Sequence, residues 1–313
     1  MFEFQSVEKI QENPLEVSAR KGILKALDII RERFEQSSEK ENNLEFHNTR
    51  HTKDVIRRTA LILETIQQYA PDAVSDKDIA LGKIAAAFHD VVQNWEANPL
   101  PNKIIRKRFI KDNELASAEE ARAFLEQENQ KAEGTFTSED LGVIEEAIRG
   151  TIPDWEPKNN TVFQPNLTEQ SSLITRALAL ADIGTAGMDG AEMFLREGDA
   201  LFREENLDIV RTLQQSESIT EEQKTRFRER LLQWTQIQPT FASGRKMLLQ
   251  QELQGIPLEA IPAVQKLFEK FDESILAAKN RVEERNTMSF DDLVVDMGFI
   301  KPSNVIPFPK NKI

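Results

Sequence analysis

The stretch AAAFHD, residues 85–90, decides the fold, because an apolar helical run ends there in two adjacent residues that can both bind a metal. The chain contains three histidines, and one of them lies in this stretch. The other two lie upstream in FHNTRH, residues 46–51. Every histidine therefore falls in one of two short clusters, and each cluster adjoins an apolar helical run. We predict that the two clusters meet in space around a metal ion.

The composition is that of an ordinary soluble protein, with 39% hydrophobic and 30% charged residues. No run approaches the roughly 20 apolar residues that a membrane span requires. The first residues, MFEFQ, lack the basic segment of a secretory signal. We therefore expect a cytoplasmic protein with no membrane partner.

Two further features limit the kinds of site that the chain can build. It has no cysteine, which excludes disulfides and thiolate ligands, so any metal must be held by nitrogen and oxygen donors. Its net charge of −13 argues against a general nucleic-acid binder, since such domains carry a basic surface.

Helical periodicity accounts for most of the chain. Apolar residues recur at helical spacing in 16–34, and Asn48 or Thr49 can cap a second helix that runs to about Tyr69. The next helix, 78–90, is the most apolar of these and is a candidate for the centre of a bundle. Further helices are predicted at 118–130 with Ser117 as cap, 141–149, 173–183, 191–202, 209–215, 221–254, 257–286 and 289–297.

The remaining segments are predicted to be irregular. Residues 95–101 are expected to form a loop, and residues 152–168 a long surface connection. No segment shows convincing alternation with a period of two, so the predicted fold class is all-α. We divide the chain into a helical domain over 1–205, a helical C-terminal extension over 206–300 and a poorly ordered tail over 301–313.

A third candidate ligand lies in a second apolar run, ALALADI, residues 177–183. Burying an unpaired carboxylate is prohibitive, so Asp182 in this run must find a partner. A metal shared with His51, His89 and Asp90 would supply one.

In this order, His51, the His89-Asp90 pair and Asp182 resemble the H…HD…D signature of the HD superfamily of metal-dependent phosphohydrolases. The FHNTRH segment is similar to the (Tyr/Phe)-His-Asn-x-x-His form of cyclic-nucleotide phosphodiesterases and some bacterial relatives. AFHDVV followed by DNELASA, residues 112–118, resembles the FHD…DNExxSA pattern of a bacterial group of predicted HD hydrolases. The resemblance spans roughly residues 44–190 and does not cover the C-terminal third.

This resemblance implies an HD-type helical core. It implies one divalent transition metal (Mn, Fe, Ni, Co or Zn) held by His51, His89, Asp90 and Asp182, with a metal-bound water as nucleophile. His47 would donate a proton to the leaving oxygen, as its analogue does in the phosphodiesterases. Glu114 is a candidate for orienting the water or a substrate hydroxyl. Unlike the two-metal phosphodiesterases, the chain has no further histidine after the HD pair, which favours a single metal.

Each of these residues also has a simpler interpretation. A histidine beside an apolar run is usually a structural residue with satisfied hydrogen bonds. His47 can serve as part of a helix cap, and Glu114 can interact with the dipole of a helix whose first turn it occupies.

A basic run, KIIRKRFIK at residues 103–111, carries five positive charges and no acid in an otherwise acidic chain. Such a run is usually a solvated helix face. The alternative is that Arg106 and Lys107 attract and bind the phosphate of a substrate.

The function expected from the resemblance is hydrolysis of a phosphate ester in a nucleotide or another small phosphorylated metabolite. The alternative is a metal-stabilised nucleotide-sensing or scaffold protein with an idle HD site, in which the long charged C-terminal helices carry the function and could form a homo-oligomer. An HD oxygenase is a third interpretation, but it would need two irons and more ligands than the sequence offers.

Overall fold

The computed structural model describes residues 14–97, 106–131, 135–214 and 219–300. Most of these residues lie in helices, and the strands among them form two short antiparallel pairs. The predicted all-α class is therefore confirmed. The tail at 301–313 and the first three residues of the basic run, 103–105, lie outside the described residues.

The structure begins with helices that surround the two histidine clusters. The helices up to residue 182 are α1 (Pro14–Phe34), α2 (Thr49–Tyr69), α3 (Asp76–Phe88), α4 (Asp112–Lys131), α5 (Ser138–Gly150) and α6 (Leu173–Asp182). The later helices are α7 (Thr185–Met188), α8 (Ala191–Glu205), α9 (Leu207–Gln214), α10 (Glu221–Glu252), α11 (Ile261–Lys266), α12 (Phe271–Thr287) and α13 (Phe290–Asp296). A single 3-10 turn, Lys40–Asn42, lies between α1 and α2.

The strands occur in two hairpins. β1 (Trp95–Ala97) pairs with β2 (Arg106–Arg108), and β3 (Asp154–Glu156) pairs with β4 (Thr161–Phe163). The first hairpin follows the HD pair directly, and the second packs against α10.

Helix α3 lies at the centre of the N-terminal half, in contact with α1, α2, α4, α5 and α6. It can do so because most of its residues are apolar, and every residue from Ile84 to Phe88 is completely buried. Ser75 and Asp78 form a capping box that fixes its first turn. The C-terminal end of α3 lies inside the core, and residues 89 and 90 follow it there.

Two other helix ends converge on the same place. The side chain of Asn48 accepts hydrogen bonds from the backbone N–H groups of Arg50 and His51, which fixes the start of α2. Ser172 caps α6, and this helix ends at Asp182. The predicted cap of the second helix at Asn48 and the predicted start of a helix at residue 173 are therefore confirmed.

The C-terminal helices pack on the N-terminal half. The main cluster of buried apolar side chains continues from α1 through to Ala278 on α12, and α11 contacts α2. A second, smaller cluster joins α8, α9, α10 and α13 through residues such as Phe202, Phe227 and Leu293. The division of the chain at residue 205 stays a prediction.

Four local predictions were wrong. Ser117 does not cap a helix, because α4 starts at Asp112 and the buried Ser117 hydroxyl instead accepts a hydrogen bond from the Val92 N–H. The predicted loop at 95–101 contains β1, and the surface connection at 152–168 contains the β3–β4 hairpin. The helical stretch at 257–286 is divided into α11 and α12. None of the described helices is long and apolar enough to cross a membrane.

Gly244 on α10 shows how closely the second hairpin approaches this helix. A Cβ at this position would lie 2.5 Å from the carbonyl oxygen of Asn159 and 2.7 Å from the Cβ of Thr161. We expect Gly244→Ala to destabilise the protein by about 1–3 kcal/mol, because backbone on both sides must move. Gly142→Ala on α5 is the matched control, since nothing lies within 4 Å of its Cβ. It should stabilise the protein by about 0.5–1 kcal/mol. Urea denaturation measures both changes, and equal effects of the two substitutions would contradict the packing argument.

Candidate metal centre

Four side chains from three helix ends form a group that could hold a metal ion. They are His51 from the first turn of α2, His89 and Asp90 directly after α3, and Asp182 from the last position of α6. One nitrogen or oxygen atom of each lies within 4.8 Å of the others. The clusters predicted to meet in space do so.

The distances within this group suit metal coordination. Nε2 of His51 lies 3.5 Å from Oδ2 of Asp90 and 3.4 Å from Oδ1 of Asp182. Nε2 of His89 lies 3.1 Å and 3.3 Å from the same two oxygens. Ligands about 2.1 Å from a transition metal are separated by about 3.0 Å in adjacent octahedral positions and about 3.4 Å in a tetrahedron. The four distances therefore match the spacing of a coordination shell.

The hydrogen bonds of the two histidines leave their coordinating nitrogens free. Nδ1 of His89 donates to the carbonyl oxygen of Ala86 at 2.8 Å, which orients the ring and leaves the Nε2 lone pair toward the carboxylates. Among the described residues, neither Nε2 of His89 nor either ring nitrogen of His51 has a hydrogen-bond partner. Buried polar atoms are rarely left in this state, so a ligand for them is the physical expectation.

The electrostatics of the metal-free group are dominated by its two carboxylates. Burial opposes the charged form of His89, but Asp90 and Asp182 together raise its pKa well above the usual value. Burial likewise opposes ionisation of Asp90 and Asp182, yet the neighbouring histidines hold the pKa of both carboxyl groups below their usual range. Without a metal, a proton on His89 therefore partly balances the two negative charges.

Asp90 is held in place from its other side. Its Oδ1 accepts a hydrogen bond from Nε2 of Gln93 at 2.8 Å, which leaves Oδ2 directed at the histidines. Nη2 of Arg108, from β2, lies 3.4 Å from the same Oδ1 and 3.1 Å from Oε1 of Glu114. Arg108 therefore joins the metal centre to the first turn of α4.

Glu114 lies one arginine away from the four-residue group. Its Oε2 accepts the backbone N–H of Lys111 at 2.6 Å, so it caps the start of α4 while its Oε1 contacts Arg108. Burial raises the pKa of Glu114, although Arg108 opposes the shift. The interaction with the start of α4 is therefore observed, and the role of Glu114 in orienting water stays a prediction.

His47 lies beside the group but outside it. It precedes the cap of α2, and the centre of its ring is 6.1 Å from that of His51. Its Nδ1 contacts Oε1 of Glu204 on α8, whose other oxygen accepts the backbone N–H groups of Phe46 and His47. Burial opposes ionisation of Glu204, but His47 and these N–H groups keep its pKa below the usual value. The histidine is therefore oriented by a buried carboxylate.

Among the described residues of the basic run, Arg108 contacts the candidate ligand Asp90. The buried Arg106 donates from Nε to the carbonyl oxygen of Glu204 at 2.8 Å and from Nη1 to that of Glu41 at 2.6 Å. Its guanidinium also lies 4.5 Å from the centre of the Trp95 ring. Lys107 is exposed. A role of Arg106 and Lys107 in binding substrate stays a prediction.

Arg58 supports the ligand on α6. This completely buried residue of α2 donates from Nη1 to the carbonyl oxygen of Ala181 at 2.5 Å, directly before Asp182. Its Nε lies 2.9 Å from Oδ2 of Asp189, and its Nη2 lies 3.8 Å from Oε1 of Glu197. The arginine therefore fixes the end of α6 relative to α2.

Four residues at or beside the site had no signal that identified them in the sequence: Gln93, Arg108, Glu204 and Arg58. Gln93 and Arg108 lie in or near segments that were considered, but no pattern distinguished them from their neighbours. Glu204 lies 157 residues from His47 and resembles an ordinary charged residue at the end of a helix. Arg58 lies among the apolar residues of α2, and this position was a signal that its side chain is buried.

Comparison of the chain with protein-family models, with curated proteins and with solved structures found no match. The resemblance to the HD superfamily therefore rests on the motif residues and on the group that they form.

We expect the protein to bind one transition-metal ion per chain, measured by elemental analysis after reconstitution. Asp182→Ala should abolish binding, whereas Asp28→Ala, an exposed aspartate on α1, should not change it. Because the ligand nitrogens must be deprotonated and the pKa of His89 is raised, metal uptake should release protons, and affinity should fall as the pH is lowered. Two ions per chain, or none after reconstitution, would contradict the single-metal site.

We expect Arg58→Met to weaken metal binding by about 10–100-fold, the usual effect of losing a group that orients a ligand. It should also lower stability, because Asp189 and Glu197 are left without their buried partner. The control is Gly244→Ala, which we expect to be destabilised without a change in metal affinity. Isothermal titration of the folded variants separates the two effects, and an unchanged affinity in Arg58→Met would mean that the arginine acts on stability alone.

Proposed function

We propose that this chain is a metal-dependent phosphohydrolase of the HD type, acting on a phosphate ester in a nucleotide or another small phosphorylated metabolite. The observation that carries this proposal is the combination of two features: a His51, His89, Asp90 and Asp182 group with unpaired ring nitrogens, and a separate histidine beside it on a buried glutamate. The first suits metal binding, and the second suits proton transfer.

The charges of the ligand set are compatible with an anionic substrate once a metal is bound. Two neutral imidazoles and two carboxylates balance one divalent cation, so the set becomes neutral when the metal is bound. A divalent metal in such a site lowers the pKa of a coordinated water and neutralises charge on a phosphate oxygen. Arg108 adds a positive charge next to Asp90, and Glu114 balances it.

His47 is proposed to protonate the leaving oxygen. Because Glu204 occupies its Nδ1, the proton available to a substrate is the one on Nε2. The contact with Glu204 also fixes the orientation of the ring, as proton transfer to a bound substrate requires. Arg108, which contacts both Asp90 and Glu114, is proposed to orient the phosphate, and Glu114 the water.

His47→Asn should retain the metal yet reduce turnover by about 10²–10⁴-fold, the usual contribution of general acid catalysis. The loss should be smaller for nitrophenyl phosphates, whose leaving group needs no proton. Turnover of a panel of phosphate esters with Mn or Ni, together with metal content, measures both effects.

Three outcomes of this experiment discriminate the alternatives. His51→Asn should lose metal and activity together, so an equal loss of metal in His47→Asn would mean that both histidines are ligands. Metal binding without turnover of any ester would favour the nucleotide-sensing or scaffold protein. Turnover that persists in Asp182→Ala would come from a contaminating enzyme.

A further inference from the structure

The two carboxylate oxygens of Asp90 have different partners. Its Oδ2 faces the imidazoles of the candidate metal centre, 3.1 Å from Nε2 of His89 and 3.5 Å from Nε2 of His51. Its Oδ1 instead accepts hydrogen bonds from Nε2 of Gln93 at 2.8 Å and from Nη2 of Arg108 at 3.4 Å. One oxygen of this ligand is therefore directed at the centre, and the other is held by two donors outside it.

The two donors fill the hydrogen-bonding capacity of Oδ1. An ionised carboxylate has about four lone-pair sites, two on each oxygen, and Gln93 and Arg108 take both sites of Oδ1. Asp90 and Gln93 are both buried, so bulk water does not compete freely for these bonds. An ion in the centre can therefore bind Oδ2 of Asp90, while Oδ1 has no free lone pair to offer.

The amide of Gln93 is oriented by this contact. An ionised carboxylate only accepts hydrogen bonds, so the NH₂ end of the amide must face Asp90. The opposite end, Oε1, is then buried without a hydrogen-bond partner among the described residues. Buried polar atoms are rarely left in this state. The contact with Asp90 therefore outweighs the loss at Oε1, and Gln93 acts on the metal centre through this ligand.

Asp182, the other carboxylate of the centre, is not restricted in the same way. Its Oδ1 lies 3.4 Å from Nε2 of His51 and 3.3 Å from Nε2 of His89. In the described part of the chain its Oδ2 has no hydrogen-bond or ion-pair partner. Arg58 supports Asp182 through the backbone carbonyl that precedes it, and not through the carboxylate. The restriction to one oxygen therefore belongs to Asp90 alone.

We propose that Gln93, together with Arg108, is a positioning residue that sets the metal preference of the centre by limiting Asp90 to one oxygen. The four candidate ligands then supply the four ligand atoms that Zn²⁺ usually takes. A further oxygen from Asp90 would benefit an ion that prefers oxygen ligands and octahedral coordination, such as Mn²⁺. The inference rests on the candidate metal centre and does not depend on hydrolysis.

Competitive titration of the full chain with Zn²⁺ and Mn²⁺ tests this inference. Gln93→Met keeps the length of the side chain and removes the amide donor. We expect it to lower Zn²⁺ affinity by about 10–100-fold, the usual effect of losing a group that orients a ligand. Mn²⁺ affinity should fall less, because the freed Oδ1 can become a ligand. The ratio of Zn²⁺ affinity to Mn²⁺ affinity should therefore fall by about tenfold.

Arg58→Met is the matched control, because it removes the support of Asp182 without freeing a carboxylate oxygen. It should weaken the binding of both ions by the same factor and leave the ratio unchanged. Gln93→Leu is the second variant if Gln93→Met does not fold.

The infrared spectrum of the Mn²⁺-loaded proteins gives an independent readout. The antisymmetric and symmetric stretching bands of a carboxylate lie closer together when both oxygens bind one ion, so the Gln93 variants should show a smaller separation than the parent protein. An unchanged band separation, or an unchanged affinity ratio, in the folded Gln93 variants would overturn the inference and leave the metal centre and the proposed hydrolysis standing. Failure of the parent protein to bind either ion would overturn the metal centre, and the inference with it.

Discussion

A buried carboxylate, Asp90, and a partly buried one, Asp182, lie at the meeting point of three helix ends and need positive charge, and much of the surrounding structure serves this requirement. Asp90 and Asp182 face the same two imidazoles at 3.1–3.5 Å. The surrounding fold holds them there despite their repulsion, because the C-terminal part of α3 is completely buried and α6 is fixed at its end by Arg58. A fold that brings two carboxylates and two imidazoles this close together is suited to binding a cation.

The helices and the four-residue group could be predicted from sequence because their signals are local. Caps such as Asn48 and Ser172 lie next to the helices that they start, and apolar runs next to His89 and Asp182 indicated burial. The partners of these residues could not be predicted, because they come from distant parts of the chain. Glu204 contacts His47 although the two are 157 residues apart in the sequence. The residues next to Glu204 in the sequence do not distinguish it from a solvated glutamate.

The errors in secondary structure have a related cause. Serine is a common helix cap, but the buried hydroxyl of Ser117 accepts a hydrogen bond from the Val92 N–H instead. Helix α4 begins earlier, where Glu114 accepts a hydrogen bond from the Lys111 N–H. The strands are three residues long, too short for alternation to be recognised. They form because each hairpin packs on its surroundings, as the second does on α10.

The dipoles of the helices that end at the candidate metal centre also favour a cation there. α3 and α6 both reach it with their C-termini, where the aligned peptide dipoles place partial negative charge. Each dipole favours a nearby cation by about 0.3–1 kcal/mol, and more where water is partly excluded. The backbone therefore adds to the attraction of the carboxylates, and it does so for a proton on His89 as well as for a metal. A proton on His89 and a metal ion therefore compete for the same negative electrostatic potential. The ion with the higher charge is stabilised more by it.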